Sequence, residues 1–180
     1  MTALIDVENL TLKFRTDEGL ITAVDNVSFS LGTGEVMGLV GESGSGKSVT
    51  AKALMHLNAK NAVYTPESKI TLHTDTGPVD VLSLKTPREL NIVRGGAVSM
   101  IFQEPMTALN PAYTIGNQLI EVMVRHKRTS VREAADRAVF LLEKVGITAA
   151  ASRLGQYPHQ LSGGLRQRVV IAMALMCGPD

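Results

Sequence analysis

Apolar and polar residues alternate along two stretches near the start of the chain. A side-chain period of two is typical of a strand that buries one of its faces. The turn-forming sequence Asp17-Glu18-Gly19 lies between the two stretches. The pattern therefore predicts short strands joined by turns over residues 4–31. The alternating residues are Leu10, Leu12, Phe14, Val27, Phe29 and Leu31.

Two continuous apolar runs follow, Glu35–Val40 and Ala97–Phe102, and each predicts a strand that is buried on both faces. A glycine-rich loop comes directly after the first run. Beyond the loop, residues 48–57 carry apolar side chains at a spacing of four, which predicts a helix. The order of these elements is therefore strand, loop and helix.

A polar, turn-rich region lies between the two runs and predicts a β-hairpin. Its arms are Ile70–Thr74 and Val79–Leu84, and the turn sequence Asp75–Pro78 lies between them.

After Pro105 the apolar period becomes that of helices. The three predicted helices are Ile115–Arg125, Ser130–Val145 and Leu161–Met176. The second opens with the capping box Ser130-x-x-Glu133 and closes at Gly146. The third begins with a Ser-Gly-Gly turn. The predicted apolar face of the second helix comprises Val131, Ala135, Ala138, Leu142 and Val145.

Composition narrows the class of protein. The chain has 180 residues, which is enough for about one domain, and its formal net charge is +1. This balance argues against a nucleic-acid partner that binds through bulk charge. The single cysteine, Cys177, cannot form an internal disulfide and is expected to be buried. The longest apolar run, Val169–Cys177, is too short to span a bilayer.

The glycine-rich loop carries the clearest chemistry. Gly41–Ser48 fits G-x-x-x-x-G-K-[ST], the pattern of a P-loop. Glycines let successive backbone N–H groups face one anion, and the following helix points its positive end at the same place. Lys47 would reach the outer phosphates, and the Ser48 hydroxyl would ligate Mg²⁺. The predicted nucleotide-binding residues here are Gly41, Ser43, Gly44, Ser45, Gly46, Lys47, Ser48 and Val49.

The alternative is a flexible surface turn, which explains the sequence less well. A lysine in the first helical turn is disfavoured by roughly 0.3–1 kcal/mol, and the glycines add an ordering cost. Several local rules broken together are typical of a functional site. The loop therefore predicts binding of a nucleoside triphosphate, with ATP and Mg²⁺ as the expected ligands.

Two further segments resemble one family of P-loop proteins, the ATP-binding cassette (ABC) ATPases. Leu161-Ser-Gly-Gly-Leu-Arg-Gln-Arg168 resembles their signature motif, and Ile101-Phe-Gln-Glu-Pro105 resembles their Q-loop. The amino-acid sequences of Phe102–Pro111 and Tyr157–Gly164 are similar to those of the family branch that imports dipeptides, oligopeptides and nickel. The resemblance covers nearly the whole chain.

The resemblance implies an α/β fold: a P-loop NTPase (RecA-like) core with an antiparallel β subdomain and a helical subdomain, incomplete at the C-terminus. The implied parts are residues 1–104 for the β subdomain and the P-loop part of the ATP-binding core, 105–160 for the helical subdomain, and 161–180 for the signature and its helix. All three belong to one truncated domain.

The resemblance also assigns roles outside the P-loop. Gln103 would contact Mg²⁺ and the attacking water, and it joins Lys47 as an expected catalytic residue. Phe14 would stack on adenine, although a core position on a strand explains it about equally well. Residues 106–113 would contact the membrane subunits. The signature residues Ser162, Gly163 and Gly164 would bind the γ-phosphate held by a second ABC subunit in a head-to-tail dimer.

The family's catalytic strand, an apolar run that ends in Asp-Glu, does not occur in the 180 residues. We therefore expect an N-terminal portion of a longer protein, with apolar surface exposed and little or no turnover by itself. The predicted protein is a peripheral ATPase subunit of an importer for small peptides or a related solute. It would work with separate permeases at the cytoplasmic face of a bacterial inner membrane. The alternatives are a non-catalytic nucleotide-binding or regulatory module and a DNA-repair ABC ATPase, but the compact spacing disfavours the latter.

Overall fold

A computed structural model describes residues 3–103 and 107–179. The chain separates into two compact units, Met1–Val93 and Arg94–Asp180, and each is described by itself. The predicted subdomain boundaries after residues 104 and 160 remain predictions.

The first unit is built on an antiparallel sheet. Its strands are β1 (Ala3–Thr16), β2 (Gly19–Gly32), β3 (Ala62–Tyr64), β4 (Lys69–Thr74) and β5 (Gly77–Asp80). The order across the sheet is β2-β1-β4-β5, and β3 also pairs with β1. The two helices of this unit are α1 (Lys47–Ala53) and α2 (Pro87–Val93), with a 3-10 turn at Val81–Ser83.

The alternation in the sequence predicted the first hairpin correctly. β1 and β2 pair from Ala3↔Gly32 to Thr16↔Gly19, so two residues connect two strands of 14 residues each. Leu10 and Leu12 are fully buried in the sheet. A bulge near Asn9, which has φ 49°, shifts the register so that the apolar side chains keep one face. The second predicted hairpin is also present, as β4 and β5, but its second arm ends early at Asp80.

The two continuous apolar runs are not buried strands, and both predictions are wrong. Residues 35–40 form no strand, and Val36 and Val40 are 99% and 90% exposed. In the second run only Val98 makes an isolated bridge, to Arg94, and Phe102 is 48% exposed. An apolar run becomes a buried strand only when other strands pair with it, and none does so in the ranges described.

The second unit is helical. Its helices are α3 (Ile115–Lys127), α4 (Val131–Lys144), α5 (Ala150–Arg153) and α6 (Gly163–Leu175), with a 3-10 turn at Pro158–Gln160. Thr114, Ser130 and Ser162 cap α3, α4 and α6 through their hydroxyl oxygens, which accept from the backbone N–H three residues later. Each cap confirms a helix predicted from the sequence.

The buried face of α4 differs from the predicted one. Val131 is 65% exposed, because the first turn of the helix extends beyond the core. Ala138 and Leu142 are buried as predicted, and Ala134 and Leu141 are buried beside them. Ala138, Leu141 and Leu142 pack with Ile115, Leu119, Val169 and Met176 in a continuous core.

Cys177 is buried as expected, and its thiol lies 3.8 Å from the Val122 carbonyl oxygen. Burial raises the pKa of this thiol, so the protonated form is favoured. None of the helices described is long and apolar enough to cross a bilayer.

Candidate functional site

Close contacts explain the glycines of the loop after residue 40. A Cβ on Gly46 would lie 2.5 Å from the Ala23 carbonyl oxygen, and a Cβ on Gly41 would lie 2.6 Å from Ser45 Oγ. Gly46 also has φ +90° and Gly44 has φ +84°, in a region that side chains disfavour. The loop can therefore keep this path only with glycine at these positions.

Lys47 is the first residue of α1, and its ammonium group lies over the loop. Nζ donates to the carbonyl oxygens of Gly41 at 2.7 Å and Glu42 at 2.6 Å, and it is 3.3 Å from Ser45 Oγ. The loop closes by a turn in which Ser45 N–H donates to Glu42 at 3.2 Å. One positive charge is thus held against the backbone of the loop.

A cleft of about 400 Å³ lies beside this loop. Its lining includes residues 22–25 of β2, Gly41 and Ser45 of the loop, and Lys47 and Thr50 of α1. The volume is within the range of small-molecule sites. Backbone N–H groups, a hydroxyl and an ammonium are the donors that bind a phosphate chain, so the residues present fit a nucleotide.

The helix after the loop is shorter than predicted. It ends at Ala53 rather than Leu57, because His56 has φ 50° and Leu57 N–H donates back to Lys52. Gly46 at its N-cap has no side chain, so no side chain from that position covers the first N–H groups. These groups remain available to an anion.

Asn58 connects α1 to the sheet. Its Nδ2 donates to the Val49 carbonyl oxygen and to the Tyr64 hydroxyl, both at 3.1 Å. Burial raises the pKa of Tyr64. Because Tyr64 lies on β3, these bonds fix the helix that carries the loop against the edge of the sheet.

Phe14, the predicted adenine contact, lies on β1 and is partly buried. It pairs with Ile21 on β2 and with Ala62 on β3. The structure thus places the aromatic ring on the sheet of the same unit as the P-loop, and its role stays a prediction.

Gln103 lies in the second unit, at an exposed bend after residues 99–102. The predicted docking segment 106–113 is described from Thr107, and Met106 lies outside the described residues. The remainder is fixed to α3 by Gln118, whose Nε2 donates to the carbonyl oxygens of Asn110 and Tyr113 at 3.0 Å each. Tyr113 is 55% exposed, so an aromatic surface is held in place beside the helix.

The predicted signature residues form the start of α6. Ser162 Oγ accepts from Leu165 N–H at 3.4 Å. A Cβ on Gly163 or on Gly164 would meet no atom within 4 Å. The first turn of α6 contains no acidic residue. This helix terminus is therefore positive and open on the surface of its unit.

Sequence reasoning missed one residue of this segment. Arg168 Nη1 donates to the carbonyl oxygens of Val145 at 3.1 Å and Gly146 at 2.9 Å, a contact that the sequence analysis did not predict. A glycine that ends one helix and an arginine at the start of the apolar part of another were the available signals. Neither one identifies its partner.

Comparison with known proteins decides the family. The family described as "ABC transporter" matches residues 24–180, which include the loop, Gln103 and the start of α6. The chain belongs to the ABC transporter family. This confirms the resemblance in the sequence, but the match does not test the role of any single residue.

The relatives of this ABC chain include import ATP-binding proteins. It is 47% identical over 98% of its length to a peptide import ATP-binding protein, provisionally so named, of Brucella abortus (strain 2308), and covers 52% of that protein. It is 48% identical over 98% of its length to the glutathione import ATP-binding protein GsiA of Escherichia coli O157:H7, and covers 28% of it. The chain thus spans about half, or less, of the length of these relatives.

Solved structures confirm the fold class of the ABC chain. The dimeric structure of MJ0796, a bacterial ABC transporter cassette, aligns with a TM-score of 0.80 at 27% identity, over 97% of this chain and 70% of that one. A post-hydrolysis dimer of the same cassette bound to ADP and Pi aligns with a TM-score of 0.79 at 28% identity, with the same coverage.

Proposed function

We propose that the whole protein is the ATP-binding and ATP-hydrolysing subunit of an ABC importer for dipeptides, oligopeptides or a related small solute. The observation that carries the proposal is the glycine-containing loop whose carbonyl oxygens at Gly41 and Glu42 hold the Lys47 ammonium, beside a cleft of about 400 Å³. The peptide and glutathione importers among the relatives support the solute class.

The chain's own residues would hold Mg-ATP in a defined way. The N–H groups from Gly41 to Val49 and the Lys47 ammonium would bind the phosphates, while Phe14 would stack on the adenine. The Ser48 hydroxyl would ligate Mg²⁺ together with Gln103. The metal would neutralise charge on the phosphates, and the amides would orient them.

The signature residues would act in a dimer. Ser162, Gly163 and Gly164 form an exposed, positive helix terminus, which suits a phosphate group that another subunit supplies. A dimeric cassette among the similar structures supports this arrangement. The partners are a second ABC ATPase subunit and separate permeases, contacted through residues 106–113. We infer a peripheral position at the cytoplasmic face of a bacterial inner membrane.

Hydrolysis is proposed for the whole protein only. The 180 residues contain no apolar run that ends in Asp-Glu, so they lack the expected general base and one Mg²⁺ ligand. The chain by itself is therefore expected to turn over ATP negligibly. Robust turnover by residues 1–180, abolished by Lys47→Ala, would contradict this part of the proposal.

The central test removes the ammonium group from the complete protein. Lys47→Ala should weaken binding of a non-hydrolysable Mg-ATP analogue by about 100-fold, or roughly 2.7 kcal/mol, in titration calorimetry. Lys60→Ala, which removes an exposed lysine outside the cleft, is the control and should leave the affinity within twofold. Unchanged affinity in a folded Lys47→Ala protein would refute the nucleotide site.

A further inference from the structure

The signature helix α6 has little in its apolar pattern to define its orientation. Every residue from Val169 to Leu175 is apolar, so the helix is apolar all round in this part. Val169 and Ala172 lie on one face and are buried, and Val170 on the adjoining face is buried as well. Apolar burial is non-directional, so it discriminates only weakly between neighbouring rotations of a segment that is apolar all round.

Arg168 makes the directional contact. Its guanidinium donates to two carbonyl oxygens at the end of α4, those of Val145 and Gly146. Carbonyls at a helix end lack intrahelical partners and carry partial negative charge, so a cation is favoured there. The fit is close: a Cβ on Gly146 would lie 2.5 Å from Arg168 Nη1.

A second arginine makes the reverse contact at the other end of the pair. Arg137 on α4 points Nη2 at the Leu175 carbonyl oxygen, the last residue of α6, at 3.5 Å. The same guanidinium lies 5.5 Å from the centre of the Phe140 ring. The two helices are therefore antiparallel neighbours, each with an arginine at the other's C-terminal end. The Arg137 bond is longer and weaker.

We propose that Arg168 is a positioning residue: by binding the C-terminal carbonyls of α4 it sets the rotation and axial position of α6, and so the direction of the Ser162–Gly164 terminus. Arg168 lies six residues from Ser162, or about 9 Å along a helix. If the helix rotates or shifts at Arg168, the proposed phosphate-binding end therefore moves by nearly the same amount. The inference rests on the proposed role of the signature in ATP hydrolysis.

The test measures the complete protein assembled with its permeases. Arg168→Gln should lower kcat at saturating Mg-ATP by roughly 10-fold or more, because misplacement of about 1 Å can cost that much. The affinity of the isolated subunit for a non-hydrolysable Mg-ATP analogue should stay within twofold, since that site is the P-loop. Arg168→Lys should recover part of kcat, and Arg137→Gln should have a smaller effect.

A second variant disturbs the same contact from the α4 side. Gly146→Asn keeps Arg168 and tolerates φ +78°, but its Cβ displaces the guanidinium, so kcat should fall in the same way. Gly178→Asn is the matched control. Gly178 also follows a helix and has φ +61°, but a Cβ there would meet nothing within 4 Å, so kcat should not change.

The outcomes separate the inference from the proposed function. Normal kcat in folded Arg168→Gln or Gly146→Asn protein would overturn the positioning role. Equal loss of kcat and nucleotide affinity would show a merely structural arginine and would also overturn it. If Gly164→Val leaves kcat unchanged as well, the proposed role of the signature itself fails.

Discussion

The two glycine-containing segments proposed to bind phosphate are built differently. In the loop before α1, glycine is required by the chain's own atoms, because a Cβ on Gly46 would collide with the Ala23 backbone. At the start of α6, a Cβ on Gly163 or Gly164 would meet no atom within 4 Å. The glycines of the first site are therefore explained by atoms of their own unit. In the second segment, no atom in the described part of its unit requires glycine rather than a larger residue. Close approach of another molecule to this surface would require it.

This comparison predicts opposite effects on stability for the same substitution. Gly46→Ala should lower the free energy of unfolding of the complete protein by about 3 kcal/mol, from the φ of +90° and the 2.5 Å contact together. Gly164→Ala should leave it unchanged or raise it by up to about 1 kcal/mol, because alanine favours helix. Urea unfolding measures both. Equal destabilisation by the two variants would remove the distinction between the sites.

The second prediction concerns turnover rather than stability. A methyl group at Gly164 would stand on the open helix terminus, between its N–H groups and a phosphate from a second subunit. Gly164→Ala should therefore lower kcat of the assembled complex by roughly 100-fold or about 2.7 kcal/mol, while a Mg-ATP analogue still binds the subunit normally. Gly155→Ala, at a position where the nearest atom to a Cβ lies at 3.9 Å, is the control. Full activity in Gly164→Ala would refute a phosphate contact at this terminus.

The sequence predicted best those features that depend on neighbours along the chain. The β1–β2 hairpin, the Ser130 cap and the start of α6 at Ser162 each follow from a local pattern. The P-loop was also a local pattern, because one glycine-rich segment carries most of it. The family resemblance came from motifs that can be recognised without knowing any distance.

Features that depend on distant partners were predicted poorly. Glu35–Val40 has the pattern of a central strand, but the pattern does not say whether other strands pair with it. The contact of Gly46 with Ala23 and that of Arg168 with Gly146 join residues that are 23 and 22 apart in the chain. No local period encodes such a pairing. The uncapped Gly46 and the hydrogen bonds from Lys47 to the loop carbonyls likewise became visible only in three dimensions.

A third prediction separates the cap of α6 from its function. Ser162→Ala removes the oxygen that accepts from Leu165 N–H, and should lower the free energy of unfolding by about 1 kcal/mol. Ser162→Asn should restore this stability, because asparagine is an equally good cap. If the hydroxyl only caps the helix, Ser162→Asn will also restore kcat. A stable but slow Ser162→Asn enzyme would show that the serine contacts the phosphate, as the open terminus suggests.

The smallest expected effect is a difference between the two units in their response to acid. In the sheet, hydrogen bonds from Ser30 and His73 lower the pKa of Asp6 below its usual value of 3.8. Protonation of this carboxylate therefore reduces stability only in strong acid. In the helical unit, burial and the neighbouring Arg125 lower the pKa of His126 below 6.5. Its ring packs on Gly95, where a Cβ would lie 2.9 Å from Nε2, and its buried Nδ1 has no partner among the described residues.

The sign follows from proton binding. Just below pH 6.5 the unfolded chain binds a proton at His126 more readily than the folded protein does, so stability is present above this pH and is lost as pH falls toward the lower folded pKa. His126→Gln should therefore reduce the loss of stability of the complete protein between pH 7.5 and pH 5.5, measured by urea unfolding at each pH. If the free energy of unfolding depends on pH in the same way in wild type and in His126→Gln, the His126 ring over Gly95 does not cause the acid response of the helical unit.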